Sequence, residues 1–244
     1  MKTINLLFLF MFALSLPVFA AGSQGDVMKK DDVLNPKQQC IITIAAFTAV
    51  GDLDRLKPAL NDALDAGLSI NEINEILVQM YAYAGFPRSL NGINTFMSVV
   101  DERKAKGLKD PKGRKATPLP KDLDKDKYGA KVRATLSGLK TIPPPAAWQE
   151  FSPIIDTFLK EHLFTDIFAR DVLTHQEREL ATVAALASMS GTQGQLQYHL
   201  GAALNTGLTE RQIKDFIEVL ASKVDKAQAD SARMVLDKVL KNRK

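Results

Sequence analysis

The side chains of this chain with the most specific chemistry are three histidines and one cysteine. His199 shares the i, i+3, i+4, i+7, i+8 spacing of Leu196, Leu200, Ala203 and Leu204, the pattern of a helical face turned to a core. An imidazole on such a stripe either packs as a satisfied core residue or works as a general acid and base, because it exchanges its proton near neutral pH. His162 and His175 have no second ligand at metal spacing: neither H-x3-H nor H-E-x2-H occurs, so no metal is expected. Cys40 sits in the apolar run C-I-I-T-I, where a free thiol behaves as a small hydrophobe. A lone cysteine excludes an internal disulfide framework and an all-cysteine metal cage. G-x-G-x-x-G, the P-loop and G-x-S-x-G are all missing, and no cofactor is expected.

An internal repeat supplies the elements that must position these groups. Residues 51–68, GDLDRLKPALNDALDAGL, align with 191–208, GTQGQLQYHLGAALNTGL, at an offset of 140, and ITIAAF at 42–47 matches ATVAAL at 181–186 at 139. Four helix starts carry a capping residue with Gln or Glu three places on: Asn35/Gln38, Ser69/Glu72, Thr174/Glu177 and Thr209/Gln212. Gly67 and Gly207 fall where a left-handed residue closes a helix. No stretch alternates as a strand. The pattern predicts an all-α fold of two tandem homologous helical bundles, with further helices over 128–139 and 146–163, separated by Pro143-Pro144-Pro145.

Length and composition fit this plan. With 244 residues, 45% hydrophobic and 25% charged, the chain is neither largely disordered nor a multi-span membrane protein. Residues 1–20, MKTINLLFLFMFALSLPVFA, read as a secretory signal peptide, since the apolar run is too short to span a bilayer and Val18-Phe19-Ala20 ends in a cleavage pattern. The mature protein is expected to be exported, periplasmic or secreted, with no membrane attachment. The net charge of +4 belongs to one stretch: residues 101–127 hold ten Lys/Arg against six Asp/Glu, more than the whole mature excess of three. With Pro111, Pro118, Pro120 and interspersed acids, that stretch reads as a solvated linker rather than a nucleic-acid surface. The expected organisation is 1–20 signal peptide, 21–33 flexible N-terminus, 34–107 first repeat, 108–145 basic linker with one helix, and 146–244 second repeat with a leading helix.

Three passages resemble the carboxymuconolactone decarboxylase family, which also contains the alkylhydroperoxidase D type proteins. Tyr81-Ala82-Tyr83-Ala84-Gly85-Phe86-Pro87 with Asn91 is similar to the family's YAGFP-x3-N. Residues 164–186, FTDIFARDVLTHQERELATVAAL, resemble the approach to its core helix, and His199 in HLGAALNTGLT takes the place of its histidine in H-x3-AL-x2-G-[VL]-T. The resemblance covers most of 34–100 and 164–240. It implies the helical fold, self-association, and a glutamate, here Glu179, that positions or charges the histidine. The family's peroxidase members use C-x2-C-x3-H. By position those cysteines fall at Thr192 and Gln195, so the dithiol cycle cannot run here.

The repeats have lost complementary parts. The first keeps Tyr83–Pro87 of the motif but has Ala59 in place of His199 and Cys40 in place of Glu179; the second keeps both acid–base groups and lacks YAGFP. At most one intact site per chain is expected, with His199 and Glu179 catalytic and Gln195, Tyr198, Tyr83 and Phe86 substrate-binding. Against this stand a packed core histidine, a Glu179 paired with Arg178 or Lys214, solvated Tyr198 and Gln195, and Tyr81, Tyr83 and Phe86 as core or interface. The functions in view are acid–base chemistry of a decarboxylase-like lyase on a small carboxylated lactone or cyclic acid, an antioxidant peroxidase, or a non-catalytic oligomeric scaffold. The expected partners are a small-molecule substrate and further copies of the chain, and no nucleic acid.

Overall fold

A computed structural model describes residues 33–243. The expected signal peptide at 1–20 and nearly all of the flexible stretch at 21–33 lie outside the described residues. The first unit comprises α1 (Pro36–Val50), α2 (Leu53–Asp65), α3 (Ile70–Ala84) and α4 (Phe86–Ala105). Between the units come α5 (Lys125–Leu136), α6 (Ala147–Phe151), α7 (Pro153–Thr157) and a π-helical segment (Phe158–Ile167). The second unit repeats the first as α8 (His175–Ser188), α9 (Gln193–Asn205), α10 (Glu210–Lys223) and α11 (Lys226–Lys241). No strand occurs among the described residues.

Local chemistry sets the helix ends. Capping boxes close the starts of α1, α3, α8 and α10, with Asn35, Ser69, Thr174 and Thr209 accepting from the third backbone N–H while Gln38, Glu72, Glu177 and Gln212 reach back. Gly67 and Gly207 follow α2 and α9 with φ of 90° and 102°, a backbone that only glycine adopts without strain.

The two units share one core. α1 packs along α8, and Ile41, Ile44, Ala45, Leu180, Ala184 and Ala185 are all fully enclosed. Both helices are buried nearly all round, which is why their sequences show continuous apolar runs rather than a stripe.

One buried polar ladder crosses this core. Arg178 is 0% exposed; its Nη1 donates to Gln79 Oε1 (3.0 Å) and its Nη2 to Glu75 Oε2 (3.0 Å) and the Arg170 carbonyl (2.6 Å). Gln79 Nε2 returns a bond to the Arg178 carbonyl (2.9 Å), and Arg170 grips Glu75 from outside. Burial works against an ionised Glu75, but the hydrogen bonds from Arg170 and Arg178 outweigh it and hold the carboxyl below the ordinary glutamate range.

The basic stretch is exposed along most of its side chains but is pinned by its backbone. The Pro111 and Lys112 carbonyls accept from the Ile70 and Asn71 N–H groups, both at 3.0 Å, which satisfies two free donors at the start of α3. Arg103 of α4 holds Asp110 (2.8 Å), and Thr117 donates to Asp171 (2.9 Å). Three of its basic side chains are held in ion pairs, Arg103 with Asp65 and Asp110, Arg114 with Asp171 and Lys125 with Asp166.

The expected leading helix of the second unit is broken. Pro153 restricts the residue before it, so Ser152 adopts φ −133° and ψ 75° and splits α6 from α7. The π-helical segment that follows packs on α5, where Val132, Leu136, Leu163, Phe164, Ile167 and Phe168 form a second cluster. Contact is close at Gly129, where an added Cβ would overlap the Lys160 carbonyl oxygen.

Two outcomes follow. Gly129→Ala must push α5 off the π-helical segment at a cost of about 1–3 kcal/mol, a fall of several degrees in melting temperature for a chain of this size; an unchanged melt would refute the close approach. Because folding depresses the Glu75 pKa, its contribution is fully present above the unfolded value of about 4.3 and is lost as pH falls through the folded value. Glu75→Gln should cost about 3–5 kcal/mol at neutral pH and flatten the acid limb of a stability-against-pH curve measured by urea unfolding. Parallel curves for the two proteins would remove Glu75 from that limb.

Candidate acid–base site

His199 sits in the second turn of α9, on the stripe with Leu196, Leu200 and Ala203 that faces the core. One helix earlier, the capping box at Thr174 starts α8 so that Glu179 falls in its second turn and points inward. Glu179 is 0% exposed, and its Oε2 lies 2.8 Å from His199 Nδ1. With the carboxylate ionised, Nδ1 donates and Nε2 is the ring nitrogen left to exchange a proton.

Neither expected alternative pairing of Glu179 forms. Arg178 turns to Glu75 and Gln79 of α3, and Lys214 bonds to Glu210. Glu179 Oε1 is buried without a protein partner.

Two tyrosines hold the imidazole edge-on, Tyr83 at 5.8 Å and Tyr198 at 5.0 Å between ring centroids. Tyr83 comes from the last turn of α3, in the first unit, so the surviving motif halves of both repeats meet at one place. Its hydroxyl is buried without a well-formed hydrogen bond; Thr182 Oγ1 beside it donates to the Arg178 carbonyl and accepts from Gln79. Burial, and then the charge of Glu179, push the Tyr83 phenol well above its ordinary value, so it stays neutral. The Tyr198 hydroxyl shares a 2.9 Å hydrogen bond with Ser137 Oγ, and burial raises it as well.

His199 opens onto a cavity of about 710 Å³. Tyr83, Thr192, Gln195 and Tyr198 form its polar side, and Leu159, Leu163 and Phe164 from the π-helical segment form an apolar wall. Three of the four expected substrate-binding residues therefore line it. Phe86 does not: the positive φ of Gly85 (85°) turns the chain into α4, leaving Phe86 63% exposed and stacked on Tyr81 at 4.5 Å. The motif reading missed Arg133, Trp148 and Ile155, all from the segment between the units. Their one sequence signal was the helical periodicity over 128–139 and 146–163.

Elsewhere the expected chemistry is spent or enclosed. Cys40 is half-buried against the core, and burial pushes its thiol up, partly offset by Lys223. His162 pairs with Asp166 at 2.9 Å on the surface. In a cleft of about 910 Å³ under residues 114–121, Arg170 pairs with Glu75, Lys125 with Asp166 and Arg114 with Asp171. Among the described residues no three His, Cys, Asp or Glu side chains converge as metal ligands, and no helix is long and apolar enough to cross a membrane.

Known proteins place this geometry in context. The model of the carboxymuconolactone decarboxylase family matches residues 19–95 and 155–238, one match in each unit. The 4-carboxymuconolactone decarboxylase of Acinetobacter baylyi is 27% identical over 97 residues, which cover 39% of this chain and 72% of that protein.

The unpartnered Tyr83 hydroxyl makes a direct prediction. Tyr83→Phe removes a buried polar group that has no bond to lose, so stability should be unchanged or higher by about 1 kcal/mol. A calorimetric melting temperature clearly below the parent's would show that the hydroxyl is satisfied.

Proposed function

The chain belongs to the carboxymuconolactone decarboxylase family, and on that premise we propose that it is a lyase-type enzyme doing acid–base chemistry on a small carboxylated lactone or related cyclic acid. The observation that carries this reading is the enclosed His199–Glu179 pair opening onto a cavity of substrate size.

Loss of carboxylate breaks one carbon–carbon bond, releases carbon dioxide and leaves an electron pair that the ring carbonyl can delocalise. The carbon must then take up a proton. His199 delivers it from Nε2 and is recharged from solvent, while Glu179 fixes the ring through Nδ1 and stabilises the imidazolium. Glu179 acts through His199 and is a positioning residue. Tyr83 and Tyr198 limit rotation of the imidazole, and the apolar wall keeps water from competing for the developing carbanion.

The antioxidant alternative lacks its sulfur at this site. Thr192 and Gln195, which occupy the positions of the dithiol in the resembled peroxidases, both line the cavity, and Cys40 does not. The scaffold alternative is favoured by no specific feature, since a histidine needed only for packing does not require a buried carboxylate.

His199→Gln should lower kcat on responsive lactones by about 10²–10⁴-fold with a smaller change in KM. Glu179→Gln keeps a hydrogen-bond acceptor at Nδ1, so it should lose less and should move the pH profile of kcat. Turnover by steady-state carbon dioxide release that survives His199→Gln unchanged would sink the acid–base reading.

A further inference from the structure

Arg133 enters the cavity from α5, in the segment between the two units that has no counterpart in either repeat. It is the one lysine or arginine of the lining; every other lining group except His199 is apolar, a hydroxyl or an amide. Its Nη1 donates to Asp156 Oδ1 at 2.6 Å. Asp156 is in turn held by Gln149 (2.8 Å) and Lys160 (3.0 Å), so three donors fix the carboxylate that orients Arg133. Among the described residues Asp156 is the sole acceptor bonded to the guanidinium, which leaves Nε and Nη2 without a protein acceptor. Two parallel donors on a planar cation match a carboxylate.

We infer that Arg133 anchors a single carboxylate of the substrate, and that the site therefore takes a monocarboxylate with an apolar body. The body lies against Leu159, Leu163 and Phe164, which line the same cavity as His199. A second carboxylate would find no fixed cation. Tyr83, Tyr198, Gln195 and Thr192 are neutral, and His199 already serves the buried charge of Glu179, which would repel another anion. Asp156 is the positioning residue of this anchor. The inference rests on the acid–base reading for what happens at His199, but the binding step stands on Arg133 alone.

Trp148 is the only tryptophan of the chain and lines the same cavity, so its fluorescence reports occupancy without turnover. The full chain is titrated with benzoate, its neutral analogue benzamide and the dianion terephthalate. Benzoate should quench saturably and bind more tightly than terephthalate. Arg133→Gln should weaken benzoate at least about tenfold, the loss of a charged fork, and leave benzamide within about twofold. Arg133→Lys, which keeps Asp156 paired, should fall between, and Arg133→Gln/Asp156→Asn should match Arg133→Gln with no orphaned charge to unfold it.

Absence of saturable benzoate binding, equal loss of benzoate and benzamide in folded Arg133→Lys, or terephthalate as tight as benzoate would each overturn the inference. His199→Gln separates the two readings. If it turns over substrate like the parent while benzoate still depends on Arg133, the acid–base reading fails and the anchor stands. If turnover depends on His199 while benzoate ignores Arg133, the anchor fails alone.

Discussion

A guanidinium with no access to water has to be paired, and Arg178 meets that demand across the junction between the two units. Its partners Glu75 and Gln79 stand four residues apart on α3, and Tyr83 is the next step of the same ladder. On α8, Thr182 sits four residues beyond Arg178 and takes the bond from Gln79. The ladder thus locks the register of α3 against α8 and delivers Tyr83 to the side of His199. Glu179, the neighbour of Arg178, projects about 100° further round the helix and meets the imidazole. One buried charge that stabilises the junction also aligns the site.

The division of labour between the units follows from that geometry. Each unit alone offers half a constellation: an aromatic helix end in the first, a histidine and a carboxylate in the second. Fused through α1 and α8 into one core, the units need only a single complete site, and the equivalent place in the first unit has relaxed to Ala59 and Cys40. The segment between the units then adds what neither contains. α5, α7 and the π-helical turn wall off the His199 face, bring in the one lining cation, and depend on Gly129 for their close approach.

Features written in local chemistry were legible in advance. The four capping boxes and the two closing glycines need only residues three or four positions apart, so they appear in the sequence as they do in the fold. His199 was legible because its helical stripe is strongly periodic. Phe86 was misplaced because a motif groups residues by sequence, whereas the left-handed Gly85 sends Tyr83 and Phe86 in different directions. Arg133 was invisible for the opposite reason: it stands 66 positions from His199, in a helix expected over 128–139 that no motif ties to the histidine.

The sequence by itself determined the helical repeat, the four capped helix starts, the concentration of positive charge in residues 101–127 and the loss of the paired thiols, because each depends on residue type or short-range spacing. Only the tertiary structure decided that Glu179 takes His199 rather than Arg178 or Lys214, that the surviving halves of two worn motifs share one cavity, and that a linker arginine completes its lining. Those outcomes depend on which helix faces are buried against each other. Burial makes an unpaired charge expensive, and that long-range constraint selects one set of partners from several that spacing alone leaves open.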